Sequence, residues 1–214
     1  MVSETVETFG SLDILVNCAA GNFLAPAEQL TSNGFKTVME IDALGTFNAS
    51  RAAFESLSKS SPRASIINIS ATLHYGATWY QAHASAAKAA VDSLTRTLGL
   101  EWGSHGIRVN GIAPGPIEGT AGLTKLAPGG AEQLRKLWKE RIPVGHPGRA
   151  WDIATAIVYL AGPGARYING HTLVVDGAEW MYREPLVPRE KVVQASRSIE
   201  AKSRRTGLAA QSKL

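Results

Sequence analysis

The chain has 214 residues, 44% of them hydrophobic and 19% charged, with a formal net charge of +4 and a single cysteine. That length suits one well-buried domain, and one cysteine, Cys18, excludes an internal disulfide and any multi-cysteine metal site. No apolar stretch approaches the roughly 20 residues of a membrane span, and no basic-then-apolar leader opens the sequence, so the expectation is a soluble intracellular protein in a reducing compartment.

Residues 12–17 form a short apolar run rich in branched side chains, between Gly10 and the turn Ala19-Ala20-Gly21. They predict a buried parallel strand, with Cys18 as a small residue at the start of a buried loop. A long helix is predicted from Thr31-Ser32-Asn33, whose polar side chains suit a cap, through Phe35, Val38, Met39, Ile41 and Phe47 towards Leu57. Residues 64–70 read as the next strand, ending at Ser70, and residues 80–102 as a helix carrying Lys88. Residues 107–113 make another strand, broken by Pro114-Gly115-Pro116; 131–141 read as helical, and 151–161 as a helix ended by Gly162-Pro163-Gly164. Residues 172–175 are a last strand before Asp176-Gly177. Strands alternating with helices predict an α/β fold, a Rossmann-like parallel sheet covered on both faces.

The basic character belongs to the end of the chain. From Arg183 onward there are eight Lys/Arg and three Glu, a balance of +5 that leaves −1 for everything before it. No aromatic residues interleave those charges, so a solvated or partly helical extension is expected rather than a nucleic-acid surface. The expected division is a Rossmann-like domain at 1–182 and a basic tail at 183–214.

A second feature concerns His83-Ala84-Ser85-Ala86-Ala87-Lys88 and the preceding Ser70-Ala71. The chain resembles the short-chain dehydrogenase/reductase family, whose active-site helix carries Tyr-x-x-x-Lys with a serine thirteen residues before the tyrosine. The tyrosine position falls on Ala84 and the serine position on Ala71, so both hydroxyls are missing. In that family the tyrosine protonates a ketone oxygen as hydride arrives, and without it the chemistry must differ. One branch fits. Asn17-Cys18-Ala19-Ala20-Gly21-Asn22-Phe23, Ile41-Asp42-Ala43-Leu44-Gly45-Thr46-Phe47, Ser70-Ala71-Thr72-Leu73 and Pro114-Gly115-Pro116-Ile117 resemble the peroxisomal 2,4-dienoyl-CoA reductases. The chain ends in Ser212-Lys213-Leu214, the peroxisomal import address.

That resemblance implies NADPH-dependent reduction of 2,4-dienoyl-CoA to 3-enoyl-CoA in the peroxisome. It casts Lys88 as the binder of the nicotinamide ribose and Asp42 as the acid–base group acting through a water. It assigns Asn17, Ala19, Ala20 and Gly21 to the adenosine ribose loop, and Ser70, Pro114, Gly115, Pro116, Ile117 and Thr120 to the rest of the cofactor. Phe23, Asn33 and Tyr80 border the acyl-CoA, and the helices starting near Thr31 and Tyr80 form the interface of a homo-oligomer. Taken without the resemblance, Asp42 also fits a wet helix face and Lys88 a surface lysine. His74, Tyr80 and His83 are rival proton donors, with Tyr80, Ala84 and Lys88 expected on one helical face. A 2-enoyl-CoA reductase and a non-catalytic remnant that joins longer subunits are the alternatives.

No glycine-rich turn for a pyrophosphate occurs in the sequence. Against the family, roughly 80 residues are absent, the first βαβαβ half of the nucleotide fold. A misplaced start or an alternative transcript is the expected source, with apolar faces left wet and marginal stability as the consequence, at about 25 cal/mol per Å².

Overall fold

The computed structural model describes residues 1–60, 64–120 and 131–205; Ser212-Lys213-Leu214, read from the sequence as an import address, lies outside them. Two compact units are present, Met1–Met181 and Tyr182–Leu214. In the first, β1 (Ile14–Asn17), β2 (Ser65–Ile69), β3 (Arg108–Pro114) and β4 (Thr172–Val175) pair in parallel, in the order β1-β2-β3-β4. The helices are α1 (Val2–Phe9), α2 (Ser32–Met39), α3 (Gly45–Lys59), α4 (Ala82–Trp102), α5 (Ala131–Arg141) and α6 (Ala150–Ala161). The second unit carries α7 (Arg189–Arg205), so the basic tail is helical over that stretch. No described helix is long and apolar enough to cross a membrane.

Alternation along β2 sets the layers, because neighbouring strand residues face opposite sides of a sheet. Ile66 packs with Ala53 and Leu57 of α3, Leu98 of α4 and Val109 of β3. Ile67 packs on the other side with Ile112 of β3 and Leu160 of α6. Burial of both faces explains the three isoleucines of β2, and why the polar residue set between two of them needs a partner. Asn68 is fully buried: its oxygen accepts from Asn17 Nδ2 at 2.8 Å, and its own amide donates to Thr95 Oγ1 at 2.9 Å. Asn17 also donates to Ser50 at 3.0 Å. One amide therefore joins β1, β2 and α4, and the second adds α3.

The predicted single helix over 31–57 is three pieces. Thr31 caps α2 by accepting from the Gly34 amide at 3.1 Å, as expected. Residues Glu40–Leu44 then form a π-helical turn before α3 begins. The buried positions explain it: Val38, Asp42, Thr46 and Ser50 recur every four residues. In an unbroken α-helix, Val38 and Ser50 would point about 120° apart, whereas a turn that absorbs one residue reduces this to about 20°. The π turn keeps all four facing the interior.

Two sequence expectations are corrected at β1. The strand is half exposed rather than buried, with Ile14 and Val16 retaining 46% and 39% of their surface. Among the described residues β1 pairs only with β2, so it is an edge and the side chains on one of its faces have nothing to pack on. Cys18, at its end, is likewise exposed.

Replacing Asn68 by Ala strips partners from both Asn17 and Thr95 in a closed interior, and a loss of about 1–3 kcal/mol in chemical denaturation is expected. Replacing the edge residue Val16 by Thr should cost well under ~1 kcal/mol in the same measurement, because little apolar burial is at stake.

Candidate active site

The site is built where the π turn meets α4 at the carboxyl ends of β1 and β2. Asp42 is 1% exposed and Lys88 7% exposed, which excludes a wet helix face for the one and a surface position for the other. Lys88 Nζ lies 3.0 Å from Asp42 Oδ2 and donates to the Ile69 carbonyl at 3.0 Å. Asp42 Oδ1 accepts from the Gly21 amide at 2.7 Å. The ion pair is an electrostatic contact rather than a directed hydrogen bond, so Oδ2 keeps acceptor capacity in a closed environment. Buried charges persist only when paired and hydrogen-bonded, and this pair draws support from the loop after β1 and the end of β2.

Ala84, at the tyrosine position, is 2% exposed and packs with Val38 and Ala87. A methyl group seals the helix contact where a phenol would reach the site. Tyr80 does not share that face: α4 starts at Ala82, and Tyr80 precedes it in the left-handed region at φ 61°, half exposed, its carbonyl accepting from the Ala25 amide at 2.9 Å. A tyrosine in that conformation cannot belong to the helix, which corrects the expected spacing.

The other expected site residues divide by location. Gly21 and Asn17 work structurally as described, while Ala19 and Ala20 are exposed. Ser70 is buried with its hydroxyl 3.5 Å from the Lys88 carbonyl, a long contact. Pro114 ends β3, and the Gly115 amide donates to Val175 at 3.0 Å. An added Cβ on Gly115 would fall 2.6 Å from Asp176 Cβ and 2.8 Å from its Cα, so close approach of two chain segments already demands glycine here. Pro116 and Ile117 pair with Gly148, and Thr120 donates to the Ile117 carbonyl at 2.9 Å. Phe23 stacks on His83 with ring centroids 4.3 Å apart, while Asn33 is exposed on the first turn of α2.

Two polar groups escaped the sequence analysis. Asn22 Nδ2 donates to Gln81 Oε1 at 2.6 Å, tying the loop after β1 to the start of α4. Asp92, 2% exposed, lies against His74 Nε2 at 2.8 Å and accepts from Thr172 at 3.2 Å. Burial and then Asp92 push the Tyr75 phenol up to about 12, so it stays neutral. His74 is thus committed to Asp92, one turn beyond Lys88. The available signal was an acid four residues after Lys88 in an alanine-rich helix.

A parallel sheet with helices on both faces, and a buried lysine paired with an acid at the strands' carboxyl ends, define a protein of the Rossmann-like α/β class with a polar site where such folds bind ligands. The family model described as Enoyl-(Acyl carrier protein) reductase matches residues 1–177. Over 212 residues the chain is 53% identical to a peroxisomal 2,4-dienoyl-CoA reductase, (3E)-enoyl-CoA-producing, of Arabidopsis thaliana, covering 95% of this chain and 70% of the relative. The enzyme of the same name from Rattus norvegicus is 49% identical over 180 residues, 84% of this chain and 61% of the relative. A crystal structure of a short chain dehydrogenase from Bacillus anthracis superposes with TM-score 0.74 at 38% identity, over 86% of this chain and 71% of that one. The chain belongs to the short-chain dehydrogenase/reductase family, among the relatives of the 2,4-dienoyl-CoA reductases. It spans between 61% and 70% of the length of those two reductases.

Asp42→Asn and Lys88→Met each leave a buried charge unpaired, and each should lower stability by about 3–5 kcal/mol in denaturant titrations. The double variant should lose less than the sum, since the two residues share one interaction. Gly115→Ala should cost about 1–3 kcal/mol through overpacking against Asp176.

Proposed function

We propose that the chain carries the reacting end of an NADPH-dependent reductase that converts 2,4-dienoyl-CoA to 3-enoyl-CoA. The observation that carries this reading is the buried Asp42–Lys88 pair beside Ala84, an acid and a cation in a site without a phenol. Bound NADPH supplies the hydride, which adds to the δ carbon of the diene. The electron pairs then shift towards the thioester: a double bond forms between the β and γ carbons, and negative charge gathers on the thioester oxygen. A proton on the α carbon completes the 3-enoyl product. Protonating carbon requires no phenol beside a carbonyl oxygen; a water polarised by Asp42 is sufficient.

Lys88 suits the cofactor's nicotinamide ribose. Its one directed hydrogen bond goes to the Ile69 carbonyl and its ion pair to Asp42, which leaves N–H capacity for a ribose hydroxyl. Ser70 and the segment from Pro114 to Thr120 would line the same end, and Phe23, Asn33 and Tyr80 the acyl-CoA. Asn17, Ala19, Ala20 and Gly21 would meet the adenosine ribose. The pyrophosphate grip is the part these 214 residues do not supply. That favours a second reading, in which the chain is non-catalytic by itself and associates with longer subunits through α2 and α4.

The wider assignment rests on the relatives' printed names and the sequence. Residues 1–182 form the reductase unit, and 183–214 form a basic tail whose Ser212, Lys213 and Leu214 address the import receptor and hence the peroxisome. Assembly is as a homo-oligomer.

The experiment mixes the purified chain with NADPH and 2,4-hexadienoyl-CoA, following nicotinamide and diene absorbance together. Equal loss of both is expected, with a KM for NADPH near the ~1 mM upper end of the usual range because the pyrophosphate is weakly held. Cofactor oxidation with a 2-enoyl-CoA but not with the diene would transfer the assignment to a 2-enoyl-CoA reductase. No oxidation with either would support the non-catalytic reading.

A further inference from the structure

His83 is the one fully buried imidazole beside the site, and the function above gives it no task. It is 0% exposed, and neither ring nitrogen makes a hydrogen bond of good geometry; the Phe23 backbone is a weak, poorly directed partner that leaves the ring with unused capacity. Most buried polar groups find a partner, and those that find none in the protein are commonly bonded to ordered water. Two further buried atoms nearby share this condition, Asn22 Oδ1 and Asp42 Oδ2.

Three consecutive residues bring these groups together. The Gly21 amide holds Asp42 Oδ1, Asn22 holds Gln81 on the residue before α4, and Phe23 stacks on His83 in its first turn. The loop thus fixes the acid, its own amide oxygen and the imidazole in one place. The charges are accounted for from every side. Asp42 on the π turn is the carboxylate acting on His83, Lys88 on α4 is paired to Asp42, and the loop offers the neutral Asn22 together with the ring and backbone of Phe23.

We propose that His83 is a positioning residue for proton delivery: with Asn22 Oδ1 and Asp42 Oδ2 it holds the water that Asp42 polarises. Two acceptors and a ring that offers one N–H and one lone pair are the set a bound water needs, since a water makes two to four hydrogen bonds. Burial pushes the imidazole below its ordinary value, while Asp42 and the Phe23 backbone oppose that to a lesser degree, so the ring is neutral at pH 7. A neutral ring can relay a proton or turn a water without adding a second cation beside Lys88. The kinetic part of this proposal rests on the dienoyl-CoA reading; the placement of the water does not.

The test pairs His83→Phe, which keeps a ring against Phe23 and removes both nitrogens, with His83→Gln, which restores an amide donor and acceptor. In diene reduction, kcat should fall about tenfold or more in His83→Phe with KM unchanged, corresponding to ~1.4 kcal/mol, and recover in His83→Gln. Wild-type kcat in His83→Phe, or an equal fall in both variants, would overturn the proposal. A second readout needs no turnover. The 15N shifts of the His83 ring are followed between wild type and Asn22→Ala, which removes one of the shared acceptors and leaves the ion pair intact. A moved resonance is expected, and an unmoved one overturns the shared water even if the chain reduces nothing.

The same ring makes a stability prediction with a definite sign. Its folded value lies below the ordinary 6.5, so below pH 6.5 the unfolded chain binds the proton more readily. His83 therefore opposes folding increasingly as the pH falls through that window, and its contribution is neutral above it. In thermal melts between pH 7 and 5, His83→Phe should show a shallower acid loss of Tm than wild type.

Discussion

The buried ion pair of Asp42 and Lys88 is the constraint around which the first unit is arranged. Two opposite charges in a closed interior gain attraction from one another but lose hydration, and the balance is favourable only when further polar groups complete the shell. Here those groups come from elsewhere in the sequence: the Gly21 amide after β1 and the Ile69 carbonyl at the end of β2. Each is a backbone group at a strand's carboxyl end, so the parallel sheet must be in register before the pair can be satisfied. Conversely, the pair ties the π turn and α4 to the ends of β1 and β2. Fold and site share one set of bonds, which explains why the acid is reached through a helical irregularity. A regular helix would have rotated either Asp42 or the stripe of Thr46 and Ser50 out of the interior.

Most of the architecture was legible because it is written in period and composition. The isoleucines of β2 stand on both faces of the strand, as burial on both sides requires, and the cap at Thr31 announces its helix. The site was legible at Lys88, where alanines on either side leave a cation with no solvent-facing company. Three things were not readable. The π turn follows from a four-residue recurrence of buried positions, and three of those, Asp42, Thr46 and Ser50, are polar, so hydropathy did not mark them. The exposure of β1 depends on what lies beside it in space, not on its own branched residues. The conformation of Tyr80 is set by its bond to Ala25, fifty-five residues earlier, a contact no local pattern encodes.

Polar side chains in this core fall into two kinds. Asn17, Asn68 and Thr95 bond in series across β1, β2 and α4, where they fix the pairing of β1 with β2 and the seat of α4. Asn22, Asp42 and His83 are equally closed to solvent yet keep unused donors and acceptors. The difference is one of position. The first group spans β1, β2 and the helix packed on them, and the second lies past the carboxyl ends of the strands, where ligands bind in folds of this class.

Loss of the phenol and gain of the acid are therefore one change rather than two. A tyrosine at position 84 would need the space that Ala84 yields to Val38, and its hydroxyl would compete with Asp42 for the Lys88 ammonium. With a methyl there, α2 and α4 close on each other, Lys88 is held between Asp42 and the Ile69 carbonyl, and in the proposed reaction the proton comes from water. A reaction ending with a proton on an oxygen would be poorly served by such a site, because oxygen asks for a donor at a fixed distance. One ending with a proton on carbon, after charge has spread along a conjugated chain, asks instead for a stabilised anion and a slow, well-placed proton. The arrangement of Gly21, Asp42, Lys88 and the neutral ring of His83 suits the second demand.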